Sequence, residues 1–468
     1  MKNKEKIIDV LEIIFKLMFM TVGLLQYSSL TAGTIIISIV QWPTVALGGL
    51  LLLWRLIHFR DYTRQRGIWL LIAFAASFVL SLVLNMSYGV YAGVRTFIFL
   101  CFEVGLLFAF DIKSPQEKVL RHTRILAIYF IAATAVLSLI SFGLMAAGYC
   151  KIFEPEKGSP YPTYVIGFAW GRLFGAYWDP NIGSVMAVLA ILLSVPLFIK
   201  HKNVFVRIVL VLNIVLELFY VEFSDSRCGK VCIMIGFFVL ALLYSLKLLR
   251  TKKAALKVLL SVAVAAVVSV VAVLSVSLCG EIYTAVMTNP GNPNGSHQII
   301  GREQDIAHDV SNRRFDIWGS AMEIFKSSPM VGVSHDNVVD YAKDHMPDTY
   351  ILTNDHMVFA SMHNVLFDIL VAQGAIGILL YLAAVLTVAV SVIRKYSAFV
   401  SDEHCFGYSA LFALVVTVFA SSMFMTEIVY VITPLTLMFW PALGCLSSFA
   451  AQLKNPEASQ AALSEEKA

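Results

Sequence analysis

Charge is what this sequence has least of. Asp, Glu, Lys and Arg make up 14% of its 468 residues, where a soluble domain carries about 25%. Hydrophobic residues reach 59%, and mean hydropathy is +0.78. A water-soluble fold cannot hide that much apolar surface, so the composition excludes one and points to the bilayer. Cysteine is also scarce: seven residues are scattered mostly through apolar runs. Cys228 and Cys232 are one helical turn apart and match no ligand pattern, which argues against both a disulfide framework and a metal site. No basic stripe is present. The net charge of +4 is small, and its Lys and Arg residues fall in short loops, which speaks against a nucleic-acid partner. The start, MKNKEKIIDVLEIIFKLMFM, is basic and then apolar but has no small-residue cleavage site. A retained first helix is the expectation.

What the chain does have is apolar runs. A bilayer-crossing helix needs about 20 residues. Twelve stretches come near that length: 9–27, 31–53, 68–86, 91–110, 125–148, 182–199, 206–223, 229–246, 257–279, 364–392, 406–424 and 429–451. The expected fold is an all-α polytopic membrane protein with about twelve transmembrane helices and one large external loop holding short amphipathic helices. Residues 1–279 would supply nine helices, with a possible re-entrant segment over 160–181. Residues 280–362 would form the loop, 363–453 three more helices, and 454–468 a disordered tail. Lys and Arg mark the cytoplasmic side. They fill the loops around 55–66, 113–124, 200–207, 247–257 and 394–395, and are missing from the turns near 28–30, 87–90 and 425–428. Both termini are therefore expected in the cytoplasm and the long loop outside.

The polar residues that suggest chemistry collect on that outer face. In the long loop, Arg313 and Arg314 open a predicted amphipathic helix capped by Ser311 or Asn312, with Ile317, Ala321, Ile324 and Phe325 on one face and Trp318 at its edge. Pro329 and Gly332 end it. Cations at a helix N-terminus sit at the end that favours anions, so an anion such as phosphate would suit both the arginines and the amides. Lipid-headgroup anchoring is the alternative. His363 and Asn364 open the tenth span; they read either as a titrating base with its orienting partner or as a helix cap. His335, His345, His356 and His363 share no metal-binding spacing. Arg227 lies in a tight turn, SDSRCG, where Asp225 or Glu222 could pair with it locally. Arg172 begins GRLFGAYWDPN, whose Asp179-Pro180-Asn181 turn starts the sixth span. Arg95 lies near the outer end of the fourth span; a charge there is a functional candidate or a structural pair.

In this order, these segments resemble the O-antigen ligase and polymerase superfamily of polytopic membrane glycosyltransferases. The resemblance runs through Arg172 to Asn181, Ser226-Arg227, Arg314 to Trp318, Pro329 to Gly332, His363-Asn364 and Gly374 to Gly377. It covers roughly residues 165–380. The chain departs from the family where Asn312-Arg313 precedes Arg314, in place of a frequent Gly, and where Val333 stands for a second Gly. The choice between Arg313 and Arg314 for the phosphate role stays open.

The resemblance implies transfer of a glycan from an undecaprenyl-diphosphate carrier to an acceptor hydroxyl, outside a bacterial cytoplasmic membrane. Guanidinium groups hold phosphate oxygens bidentately. Arg227 and Arg314 are thus expected on the diphosphate with Arg172 as a third, and His363 as general base. Arg313, Asn364, Asn181, Trp318 and Arg95 would line the substrate. The expectation is inversion with no metal and no cofactor. The partners would be a polyprenyl-diphosphate-linked glycan donor, a glycan or lipid acceptor, the lipid bilayer itself and other polysaccharide-assembly proteins. Polymerisation of repeat units is preferred to ligase-type transfer of the finished glycan. A lipid-linked glycan transporter or flippase is the alternative of another class.

Overall fold

The computed structural model describes residues 2–154, 163–287, 300–301, 313–354, 357–395, 399 and 405–453. Helices stand at all twelve expected spans. They are α1 (Lys2–Gln26), α2 (Ile35–Ile57), α4 (Ile68–Leu84), α5 (Tyr91–Phe102), α6 (Gln116–Ala146), α7 (Pro180–Lys200), α8 (Val204–Phe223), α9 (Arg227–Leu248), α10 (Ala254–Met287), α14 (Val365–Arg394), α15 (Cys405–Ser421) and α16 (Pro434–Gln452). A short α3 (Phe59–Tyr62) follows α2. Among the described residues, nine helices are long and apolar enough to cross a membrane. α4 and α15 are apolar but have 17 residues each. The molecule is an all-α polytopic membrane protein.

Helix position follows from how far round each helix is apolar. α7 is apolar on every side, and each residue from Ile182 to Ser194 is buried, so it forms the centre. α2 and α10 turn large side chains such as Ile39, Leu50, Val267 and Leu274 outward, as lipid-facing helices do. Backbone groups without an internal partner are costly in lipid. The π-helical turn Glu103–Phe108 that continues α5 frees carbonyls, and Arg55 takes up Gly105 O at 2.6 Å and Ala109 O at 2.7 Å. Glu12 pairs with the same guanidinium at 2.6 Å, joining α1 to α2.

The segment considered for membrane re-entry forms strands over its described part. β1 (Cys150–Phe153), β2 (Tyr164–Ala169) and β3 (Arg172–Gly175) make one antiparallel sheet in that order. Trp170 and Gly171 both have positive φ, 52° and 71°, which is the two-residue turn that joins twisted strands. Gly167 and Gly175, at φ 98° and 62°, also break any helix here.

In the long loop, α11 (Arg314–Ser327), α12 (Val338–His345) and α13 (Tyr350–Thr353) are short. Ile317, Ala321 and Ile324 of α11 are buried with Val333, Tyr341 and Met362 in a small core of their own. The apolar face of α11 is covered by the protein, because α12, α13 and α14 offer it a dry partner. Ser311, Asn312, His356 and the tail from residue 454 lie outside the described residues.

Candidate active site

Three chain segments are tied together by one amide side chain. Asp179 caps α7: its carboxylate accepts from Asn181 N at 2.7 Å, with Pro180 in the first helical position, where a missing N–H costs nothing. This fixes Asn181, whose Oδ1 accepts from Arg172 at 2.8 Å and from Ser226 Oγ at 3.0 Å. Arg172 Nε also donates to Ser224 O at 2.7 Å. The Arg172 side chain thus bridges β3, the start of α7 and the turn between α8 and α9. That turn is tight, with Asp225 at φ 44°. Ser226 caps α9 by accepting from Gly229 N at 3.1 Å. Arg227 is the first residue of α9 and is exposed.

A second group gathers on the turn between α15 and α16. Arg314 Nε donates to Phe424 O at 3.2 Å, and its guanidinium lies 5.9 Å from the Phe424 ring centre. Asn364 caps α14, accepting from Leu366 N at 2.9 Å and Phe367 N at 3.4 Å, while its Nδ2 donates to Met423 O at 3.0 Å. The start of the loop helix and the start of α14 therefore grip neighbouring carbonyls of the same turn. Arg313 precedes α11 in the left-handed region, at φ 65°, and gives no side-chain cap. Trp318 donates to Met362 O at 3.1 Å and stacks on Phe367, with ring centres 5.2 Å apart. This fixes the backbone just before His363, which is half-buried with φ 49°.

Electrostatics links the two groups. Burial and the Arg314 cation hold the His363 imidazole below its ordinary pKa, and the Asp179 carboxylate pulls the other way. Asp179 also faces Glu427, which is fully buried in the α15–α16 turn. Burial pushes the Glu427 carboxyl up to about 8; the Ser421 hydroxyl, which donates to it, lowers it, and the Asp179 charge raises it further. The second Glu427 oxygen has no hydrogen-bond partner among the described residues. The Arg314 and Asp179 charges thus act on His363, and Asp179 also acts on Glu427, from four separate stretches of chain.

Arg172, Asn181 and the Ser226-Arg227 turn join one knot; Arg314, Trp318, His363 and Asn364 join the other, with Asp179 between them. Arg95 does not join either: it is exposed on α5, with no hydrogen-bond or ion-pair partner among the described residues. Among the described residues, the loop histidines His335 and His345 do not gather. His335 stacks on Tyr430 at 4.8 Å and His345 on Tyr341 at 4.1 Å. Among the described residues no three His, Cys, Asp or Glu stand close enough to hold a metal ion. Sequence reasoning missed Asp179 as a charge and Glu427 altogether. The signal for Glu427 was there: it is the single charged residue between Cys405 and Gln452.

An imidazole kept unprotonated beside a guanidinium can accept a proton from a hydroxyl while the cation faces an anion. No curated protein matches the chain. Residues 212–382 match the family described as O-Antigen ligase. The matched stretch contains Arg227, Arg314, His363 and the first part of α14, so this part of the chain is similar to the O-antigen ligase family.

Proposed function

We propose that this protein polymerises undecaprenyl-diphosphate-linked oligosaccharide repeat units of a surface polysaccharide, on the outer face of a bacterial cytoplasmic membrane. The observation that supports it most is the placement of a half-buried, pKa-lowered His363 next to Arg314. His363 takes the proton of the acceptor hydroxyl as that oxygen attacks the anomeric carbon. The bond from the anomeric carbon to the diphosphate oxygen breaks, and the lipid diphosphate leaves with the electron pair. Arg314 and Arg227 face the growing negative charge, each charged hydrogen bond contributing about 1.5–3 kcal/mol. Arg172 holds the Asn181–Ser226 turn beside Arg227. Attack opposite the leaving group inverts the anomeric centre, and guanidinium groups take the place of a divalent cation.

Polymerisation is preferred because the chain meets its family's motifs loosely and the polymerases are the more diverse members. The matched family is equally compatible with a second reading, ligase-type transfer of a finished glycan to another acceptor. A reconstitution separates them. Purified protein receives lipid-linked repeat units in detergent with a chelator present. A ladder of longer lipid-linked products is expected; product only after a different acceptor is added means ligase. No product, together with carrier movement across vesicles, means a transporter. His363→Ala should lower turnover by about 10²–10⁴-fold at normal expression; undiminished turnover removes His363 from the mechanism.

A further inference from the structure

The helices that carry the candidate site meet again at their other ends. α7 begins at the Asn181 knot and ends at Lys200; α15 ends at Ser421, beside Glu427, and begins at Cys405. α6 supports the site end through Ser141 Oγ, which accepts from Ala176 N at 2.9 Å, and starts at Gln116. At this far end lie two adjoining cavities of 530 and 580 Å³ that share Glu117, Leu120, Arg124 and Lys200. The first is a polar mouth with Lys118 and Arg121. The second runs between α6, α7 and α15 along Leu193, Leu197 and Leu411. Two residues account for its width. Pro196 interrupts the hydrogen bonding of α7 near its last turn. Gly407 has no side chain, and a Cβ built there would meet nothing within 4 Å.

The mouth is cationic. Lys118 and Arg121 are paired with Asp9, whereas Arg124 and Lys200 have no ion-pair partner among the described residues. Four cations therefore stand against two carboxylates, Glu117 and Asp9, leaving the charges of Arg124 and Lys200 in excess at the rim of an apolar slot that opens where spans end. A free phosphate would leave the slot unused, and a zwitterionic lipid would leave the excess charge unmet. We propose that this crevice binds an anionic glycerophospholipid of the leaflet opposite His363, with its phosphate at Arg124 and Lys200 and an acyl chain along α7 and α15. Basic pockets between spans bind anionic headgroups in this way. The lipid would brace α7 against α15, whose other ends hold Asn181 and Glu427.

The test is lipid binding to the purified full-length chain, followed by native mass spectrometry or a fluorescent-lipid titration. Phosphatidylglycerol should bind in preference to phosphatidylcholine. Arg124→Gln with Lys200→Gln should weaken phosphatidylglycerol by about five-fold per cation, roughly 25-fold together, and leave phosphatidylcholine unchanged. Arg124→Lys, which keeps the charge, should retain the preference and so separates charge loss from misfolding. Gly407→Leu should fill the slot and weaken phosphatidylglycerol without changing retention of inorganic phosphate. Equal binding of the two lipids, an unaffected double variant, or competition by inorganic phosphate as strong as by the lipid would each overturn the proposal.

Discussion

His363 is poised between a cation that lowers its pKa and a carboxylate that raises it, with burial adding to the first. Its protonated form is lost at a lower pH than the ordinary value of about 6.5, so the base remains available into mildly acidic solution. The acid limb of kcat/KM should therefore fall with a midpoint below that value. Asp179→Asn keeps an oxygen to cap α7 but removes the charge that raises His363, so the midpoint should move further down; an upward or absent shift, read from the pH–rate profile, excludes the coupling. Glu427 runs the other way. Its folded pKa is raised, to about 8, so the folded chain binds the extra proton and stability is fully present below the unfolded value near 4.3. Stability contributed by this proton is lost as pH rises through 8. Glu427→Gln, which cannot ionise, should flatten that loss: thermal midpoints of the two proteins should diverge between pH 5 and 8, with the variant the more stable at the upper end.

At the scale of elements, the chain's Pro-x-x-Gly and Gly-x-x-Gly motifs turn out to be one joint. Gly374 lies inside α14 with φ 61° and ψ −156°, a conformation open to glycine almost alone. The kink frees two amides, and the turn after α11 receives them: Ala375 N donates to Pro329 O at 2.8 Å and Ile376 N to Met330 O at 3.2 Å. In return Val333 N and Ser334 N donate to Val371 O and Ala372 O at 2.9 and 3.0 Å. Gly332, at φ 67°, faces the Val371–Gln373 backbone, and Gly374 faces the backbone of Met330 and Val331, each too closely for a Cβ. The joint sets where α11, and so Arg314, stands over α14. Gly374→Ala should destabilise by about 1–3 kcal/mol from backbone strain alone and weaken turnover, without touching a charged group; an unchanged thermal midpoint would show that the kink is not a constraint.

At the scale of the molecule, orientation in the bilayer governs the rest. From the distribution of Lys and Arg we propose that the long loop faces outside and the Arg124–Lys200 end inside. Cysteine labelling reads this directly. In a Cys150→Ser background, since Cys150 is exposed, a membrane-impermeant maleimide on intact cells should label Met330→Cys and spare Lys200→Cys. Both positions are exposed, so burial does not confuse the result. Labelling in the reverse pattern would move the proposed active site to the cytoplasm and contradict a reaction on exported carrier lipid.

The sequence by itself determined the spans. Length and hydropathy act along the chain, and a run of about 20 apolar residues has one way to satisfy its backbone in lipid. It also placed Asn364 at a helix start, because capping needs only residues two or three positions on. Tertiary structure alone decided the pairings. Arg314 finds Phe424 O across 110 residues, and Arg172 finds Ser224 O across 52. The strands around Trp170–Gly171, the covering of α11 by protein and the burial of Glu427 opposite Asp179 belong to the same class. Each depends on which helix ends meet, and that follows from packing of the whole bundle around α7, which no local pattern encodes.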